Sequence, residues 1–255
     1  MKNTLRYQFA GIIPARYAST RFPGKPLVMI GGKPMVQHVY EQSAKALGIV
    51  YVATDDIRIR DAVEGFGGKA VMTSDRHQSG TDRCAEAVRL IEEATGEKID
   101  IVINIQGDEP FLRPTELELL SSCFNDRSVE IATLVRKALP GEDIFNPNQP
   151  KAVLSKSGDA IYFSRAAIPY VRGVGMDNWA HNYTYYLHLG IYAYKVSALH
   201  SITLLERSSL ETAESLEQNR WIENGFRIRT AVTEWNSISI DTPEDLEKAI
   251  QHYEH

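Results

Sequence analysis

Two cysteines, Cys84 and Cys123, are too few and too far apart for a disulfide framework or a metal-binding cysteine motif. The chain therefore reads as a protein with reduced thiols. No apolar run approaches the roughly 20 residues that span a bilayer. The segment from Met1 to Ala10 mixes Lys2, Arg6, Tyr7 and Gln8 and has no signal-peptide apolar stretch. A cytoplasmic protein with no membrane partner is the expectation. Basic surplus is absent too: 28 Lys and Arg face 33 Asp and Glu, for a net charge of -5. A general nucleic-acid binder would show the opposite balance, so no nucleic-acid partner is expected. A local cationic pocket for a small anion stays open. Internal repeats, low-complexity tracts and clear linkers are also missing.

What is present is an ordinary globular composition, 43% hydrophobic over 255 residues, enough for a substantial core in one large domain or two small ones. In the first half, short apolar strands alternate with amphipathic helices. Strands are predicted over 9–14, 49–54, 69–73 and 99–106. Helices are predicted over 34–47, with Val36, Tyr40, Ala44 and Leu47 on one face, and from a cap at Asp56 through Phe66. Two more run over 81–95, with Cys84, Val88, Ile91 and Ala94 inward, and from Pro114. This rhythm implies crossover units and a mainly parallel sheet. Further strands are predicted over 131–135, 152–154, 160–163, 188–194 and 226–234. A helix is expected over 210–224, and another after the capping-box-like Thr242-Pro243-Glu244-Asp245. The expected fold is α/β: a mainly parallel, Rossmann-like sheet flanked by helices, in a single domain over 1–255 with a smaller lobe over roughly 130–225.

The segment Pro14 to Leu27 (PARYASTRFPGKPL) carries the most chemistry. It follows the first strand, at the carboxyl edge where open α/β sheets bind ligands. Arg16, Arg21 and Lys25 suit phosphate oxygens, and Gly24 permits close backbone approach. It is neither a Walker loop, lacking GxxxxGK[ST], nor a dinucleotide fingerprint, lacking GxGxxG. A solvated basic loop is the plain alternative. Asp108 follows an apolar strand and can hold Mg²⁺ through carboxylate oxygens, or can simply help turn the chain before Pro110. Asp241 precedes a helix start and suits the dipole there. Ser79-Gly80-Thr81 can cap a helix or meet an anion with its amides. Asp55 and Asp56 read as caps, and Arg58, Arg60 and Asp61 as a solvated helix face. Trp179, Tyr183, Tyr185 and Tyr186 read as loop anchors or an oligomer contact.

PARYASTRFPGKPL resembles the signature loop of the bacterial cytidylyltransferases that activate 3-deoxy-manno-octulosonate (KDO). The resemblance continues in order through His77 to Arg83 (HQSGTDR), Gln106 to Pro110 (QGDEP), Phe145 to Asn148, Tyr162 to Arg165 (YFSR), His188 to Tyr192, Leu216 to Gln218 and Asp241 to Asp245 (DTPED). Each motif alone is weak; the ordered set spans nearly the whole chain. The stretch 173–186 matches no motif of that family.

The resemblance implies an enzyme that converts CTP and KDO to CMP-KDO and pyrophosphate, for lipopolysaccharide biosynthesis. It implies Mg²⁺ held by Asp108 and Asp241, with Arg16, Lys25 and Asp108 as catalytic residues. Pro14, Ala15, Arg16, Arg21, Lys25, Ser79, Gly80 and Gln106 would contact the nucleotide. Arg165, His188, Tyr192, Glu217 and Gln218 would contact the sugar acid, and the second-half lobe would build a homodimer. 8-Amino-KDO and N-acylneuraminate are alternative acceptors. A glycosyltransferase, which typically carries a D-x-D metal motif, and a non-catalytic nucleotide-binding protein are readings of other kinds.

Overall fold

The computed structural model describes residues 7–18, 22–236 and 239–254. In chain order the elements are β1 (Phe9–Ala15), β2 (Met29–Ile30), β3 (Lys33–Pro34), α1 (Met35–Ala46), β4 (Ile49–Thr54), α2 (Ile57–Gly65), β5 (Ala70–Met72), α3 (Gly80–Thr95), β6 (Ile101–Asn104) and α4 (Pro114–Ser122). There follow β7 (Ile131–Lys137), β8 (Lys151–Leu154), β9 (Ala160–Ser164), α5 (Trp179–Asn182), β10 (Tyr186–Lys195), α6 (Val196–Thr203), α7 (Ser209–Glu214), α8 (Glu217–Glu223), β11 (Ile228–Thr233) and α9 (Pro243–Glu254). Where one domain with a lobe over 130–225 was expected, the chain divides into two compact units. The first is Met1–Glu118 with Ala193–Thr203 and Ser237–His255; the second is Leu119–Tyr192 with Leu204–Asn236.

The sheet of the first unit runs β6–β1–β4–β5, and these neighbours are parallel. Ala10, Ile12 and Ile13 of β1, like Ile101, Val102 and Ile103 of β6, are fully buried. Parallel strands covered on both faces read as unbroken apolar runs, which is why FAGIIPA and IVYVAT stand out in the sequence. The predicted mainly parallel α/β class holds, with α1, α2 and α3 packed on these strands.

Two predicted helix faces need correction. In α1 the buried residues are Met35, Val36, Val39 and Ser43, while Ala44 is exposed. Ser43 is tolerated inside because its hydroxyl donates to the Val39 carbonyl at 2.7 Å. In α3 the expected Cys84, Val88 and Ile91 are buried, but Ala94 is exposed. Ser79 caps α3 by accepting from the Asp82 N–H at 3.1 Å. Asp56 caps α2 as expected, whereas the Asp55 carboxylate lies 3.4 Å from the Arg83 guanidinium.

In the second unit β11 pairs parallel to β7, and β8 pairs antiparallel with both β10 and β9. The helix expected over 210–224 is two helices, α7 and α8, separated by Ser215 in the left-handed region at φ 50°. Trp179 and Tyr185 are loop anchors as expected. They form a buried cluster with Ile144, Trp179 donates to the Val174 carbonyl at 3.0 Å, and the Tyr185 hydroxyl donates to the Pro169 carbonyl at 2.7 Å. Among the described residues, no helix is long and apolar enough to cross a membrane.

Candidate active site

In the first unit, β1 ends at Ala15 and hands the chain to the cationic loop. Gly24, at φ 73°, turns it into a short 3-10 turn that begins at Lys25. The loop is braced from outside: the Gly24 N–H donates to the Tyr17 carbonyl at 2.9 Å, and the Arg58 guanidinium lies 3.3 Å from the Tyr17 ring centroid. Asp56 grips Arg58 at 2.6 and 2.9 Å. Arg58 is therefore not merely part of a solvated helix face, because it supports this loop.

Lys25 ends in a three-charge constellation. Its ammonium donates to Asp108 Oδ2 at 2.7 Å and to Asp241 Oδ1 at 3.1 Å. Residues 83 and 216 positions away are thus gathered on one cation. Asp108 is presented by the turn after β6. There, a Cβ on Gly107 would stand 3.0 Å from the Pro14 carbonyl oxygen, so a larger residue would press on that backbone by a few tenths of an ångström. The Ile240 N–H donates to the Asp108 carbonyl at 2.9 Å, bringing the second acidic segment alongside. Asp241 precedes a capping box: Asp245 Oδ2 accepts from the N–H groups of Asp241 (3.2 Å) and Thr242 (3.0 Å), and Thr242 Oγ1 accepts from the Asp245 N–H at 3.2 Å.

A cavity of about 390 Å³ opens here, lined by Pro14, Ala15, Arg16, Lys25, Gln106, Asp108 and Asp241 among others. Seven of the expected residues thus share one cavity. Arg21 lies outside the described residues. Ser79 and Gly80 are not in the lining, although Gly80 abuts it: a Cβ on Gly80 would stand 3.5 Å from both Pro14 Cγ and Asn104 Nδ2. Asn104 was not anticipated. It is 5% exposed, and its Oδ1 has no hydrogen-bond partner, a costly state unless a ligand answers it. Its only signal in the sequence is an amide interrupting the apolar run IDIVINIQ.

The site fits Mg²⁺ by its donor set. Two carboxylates already converge on a cation, and Mg²⁺ is commonly held by one or two carboxylates completed by phosphates and water. No third His, Cys, Asp or Glu joins them among the described residues.

The five residues expected at the sugar acid all belong to the second unit. His188 and Tyr192 lie on β10 with ring centroids 5.1 Å apart, and His188 packs against Phe163 at 5.0 Å. Thr133 Oγ1 donates its single proton to the Ile191 carbonyl at 2.6 Å, so it must accept from His188 Nε2 at 2.9 Å. That fixes the Nε2–H tautomer and leaves Nδ1 as an acceptor. Desolvation among these rings lowers the His188 pKa to about 3, so the imidazole is neutral.

Arg165 spends three of its five N–H donors on carbonyls: Nε on Glu214 at 2.6 Å, Nη1 on Pro147 at 2.9 Å and Nη2 on Ser215 at 3.3 Å. Glu217 opens α8 and accepts from Arg220 at 2.9 Å. Gln218 is 5% exposed, and its Nε2 has no partner.

The family model for cytidylyltransferases matches residues 10–230. A 3-deoxy-manno-octulosonate cytidylyltransferase of Parabacteroides distasonis is 55% identical over 247 residues, covering 95% of this chain and 97% of the relative. Its counterpart in Phocaeicola vulgatus is 53% identical over 245 residues, covering 95% and 96%. A solved CMP:2-keto-3-deoxy-manno-octonic acid synthetase complexed with CTP superimposes with a TM-score of 0.88 at 42% identity, covering 97% of this chain and 98% of the other. The mainly parallel sheet agrees with these likenesses, and the chain belongs to the cytidylyltransferases, among the 3-deoxy-manno-octulosonate enzymes.

Proposed function

We propose that the chain activates KDO: CTP and KDO give CMP-KDO and pyrophosphate. The observation that carries the reading is the cation-binding pair Asp108 and Asp241, set with Lys25 and Arg16 around one cavity in a chain of this family. The anomeric 2-hydroxyl of the sugar attacks the α-phosphorus of CTP. The bond to the β-phosphate oxygen breaks, pyrophosphate leaves, and the hydroxyl proton passes to solvent. Positioning and charge neutralisation carry such a transfer, with no covalent enzyme intermediate.

Each residue set has a task. Asp108 and Asp241 hold Mg²⁺, which supplies Lewis-acid charge stabilisation and orients the nucleophile when bound. Arg16 and Lys25 neutralise phosphate oxygens, with Arg21 supporting. Pro14, Ala15 and Gln106 line the nucleotide cavity, and Ser79 and Gly80 approach the base.

Arg165 keeps two N–H groups for the sugar carboxylate. His188 Nδ1 accepts from a hydroxyl, Gln218 Nε2 donates to one, and Tyr192 and Glu217 complete the sugar contacts. The product's place in lipopolysaccharide biosynthesis, a cytoplasmic location and a homodimer through the second unit belong to the same proposal.

The decisive experiment is pyrophosphate release with CTP, Mg²⁺ and a panel of KDO, 8-amino-KDO and N-acetylneuraminate. Release with KDO at the highest kcat/KM is the expected outcome. Preference for another acid would reassign the substrate. CTP binding by calorimetry without pyrophosphate release from any acid would make this a non-catalytic nucleotide-binding protein.

A further inference from the structure

Glu214, the last residue of α7, has no place in the sugar contacts named so far, yet its carboxylate accepts three hydrogen bonds. Oε1 accepts from Ser164 Oγ at 2.6 Å and from the Tyr162 hydroxyl at 3.1 Å, and Oε2 accepts from the Arg165 N–H at 2.9 Å. Burial works against its charge, but the bonds from Ser164, the Arg165 N–H and Tyr162 outweigh it and hold the carboxyl below its usual pKa.

Arg165 returns the contact by donating to the carbonyls of Glu214 and Ser215. Those carbonyls stand at the end of α7, where the left-handed Ser215 breaks the helix and leaves them without intrahelical donors. The guanidinium answers them, as cations do at helix C-termini. From the other side Lys151, fully buried, donates to the Arg165 carbonyl at 2.7 Å and the Asn146 carbonyl at 2.9 Å. The same break decides where α8 begins, and α8 opens with Glu217 and Gln218. One carboxylate therefore ties the end of β9 to the α7–α8 break, and so touches the placement of three residues assigned to the sugar.

We propose that Glu214 is a positioning residue for the sugar acid, aiming the two remaining Arg165 donors and fixing the start of α8. Glu214 does not touch the sugar itself: three donors occupy its oxygens, and its charge would repel the sugar carboxylate. The inference rests on the assignment of Arg165 to that carboxylate.

The test is steady-state kinetics of Glu214→Gln, Glu214→Asp, Arg165→Ala and the double variant Glu214→Gln/Arg165→Ala, with CTP affinity and thermal unfolding measured alongside. Gln keeps the shape but removes the charge and offers one acceptor oxygen in place of two, so either the Arg165 N–H or the Ser164 and Tyr162 hydroxyls lose their acceptor. Glu214→Gln should raise KM for KDO roughly tenfold or more while KM for CTP stays within about twofold. Glu214→Asp should recover part of the loss. The double variant should be no worse than Arg165→Ala alone, as expected of residues acting as one unit.

A KDO defect in Arg165→Ala with none in Glu214→Gln overturns the inference and leaves the sugar reading standing. An equal rise in both KM values in Glu214→Gln also overturns it, because that pattern marks general loosening. Unchanged KDO kinetics in Arg165→Ala overturns the sugar reading on which it rests.

Discussion

Lys25 stands where two roles compete. Its ammonium neutralises Asp108 and Asp241 at 2.7 and 3.1 Å, the position a divalent ion needs, and it is also the cation assigned to the triphosphate. A cation entering between these carboxylates is repelled by the ammonium already there, so metal entry and release of Lys25 toward phosphate are linked. Lys25→Met should therefore bind Mn²⁺ roughly tenfold more tightly than the native chain without nucleotide, a gain of about 1.4 kcal/mol, while CTP binding weakens. Electron paramagnetic resonance titration of Mn²⁺ reads the first and calorimetry the second; equal or weaker Mn²⁺ binding contradicts the linkage. Asp108→Ala and Asp241→Ala should each lower turnover at least about a hundredfold, since metal-centred charge stabilisation contributes several kcal/mol. Near-normal turnover at saturating Mg²⁺ would remove them from the metal site.

His188 gives a prediction in pH. Its folded pKa is about 3 against an ordinary value of 6.5, so between these values the unfolded chain binds the proton that the folded chain refuses. Stability from this residue is present above pH 6.5 and is lost as pH falls toward 3, with a slope of at most about 1.4 kcal/mol per pH unit. Urea denaturation at pH 7 and pH 5 should show the fall, and His188→Gln should flatten it. These residues were legible in the sequence because their types suit the chemistry and family motifs carry them. Asn104, Glu214 and the brace of Arg58 on Tyr17 were not, because their roles come from partners distant in sequence, and an amide or carboxylate in isolation resembles any other.

At the scale of elements, termini decide where the chemistry lies. Asp245 closes the capping box of α9 by accepting from the Thr242 N–H, and it also accepts from the Asp241 N–H. Asp245→Ala should cost about 1 kcal/mol of stability through the lost reciprocal bond of the capping box. It should also weaken Mn²⁺ binding, because Asp241 loses a restraint; denaturation and metal titration together separate this from a cap with no tie to the metal. The strands of the first unit were legible because both-face burial writes itself as apolar runs. The α7–α8 break was not: the helical periodicity continues through it, and Ser215 at φ 50° occupies a conformation that composition assigns to glycine. Helix α6, with Ala198, Leu199 and Ile202 buried, was also missed, since it follows β10 directly with no turn residue to announce it.

For the whole molecule, a net charge of -5 spoke only against a general nucleic-acid binder and located nothing, since the charge assigned to the chemistry is a few residues around one cavity. Exposed apolar surface is more informative. In the second unit Tyr170, Met176, Phe145 and Tyr183 are 71%, 56%, 39% and 37% exposed. Tyr170 and Phe145 pack on the buried Trp179 with centroids 4.8 and 5.6 Å away. Aromatic and methionine side chains left in water beside a rigid anchor have the composition of an interface core, and chains in closed oligomers are most often two-fold dimers. If this patch is the contact, the native chain should sediment as a dimer. Tyr170→Glu with Met176→Glu should then yield a monomer, because two like charges would meet their symmetry mates across an apolar seam. Neither side chain is buried, so folding should survive, and unchanged CTP binding would verify that the first unit is intact. A native chain that sediments as a monomer across micromolar concentrations, or a double variant that remains dimeric, would place the homodimer contact elsewhere or remove it.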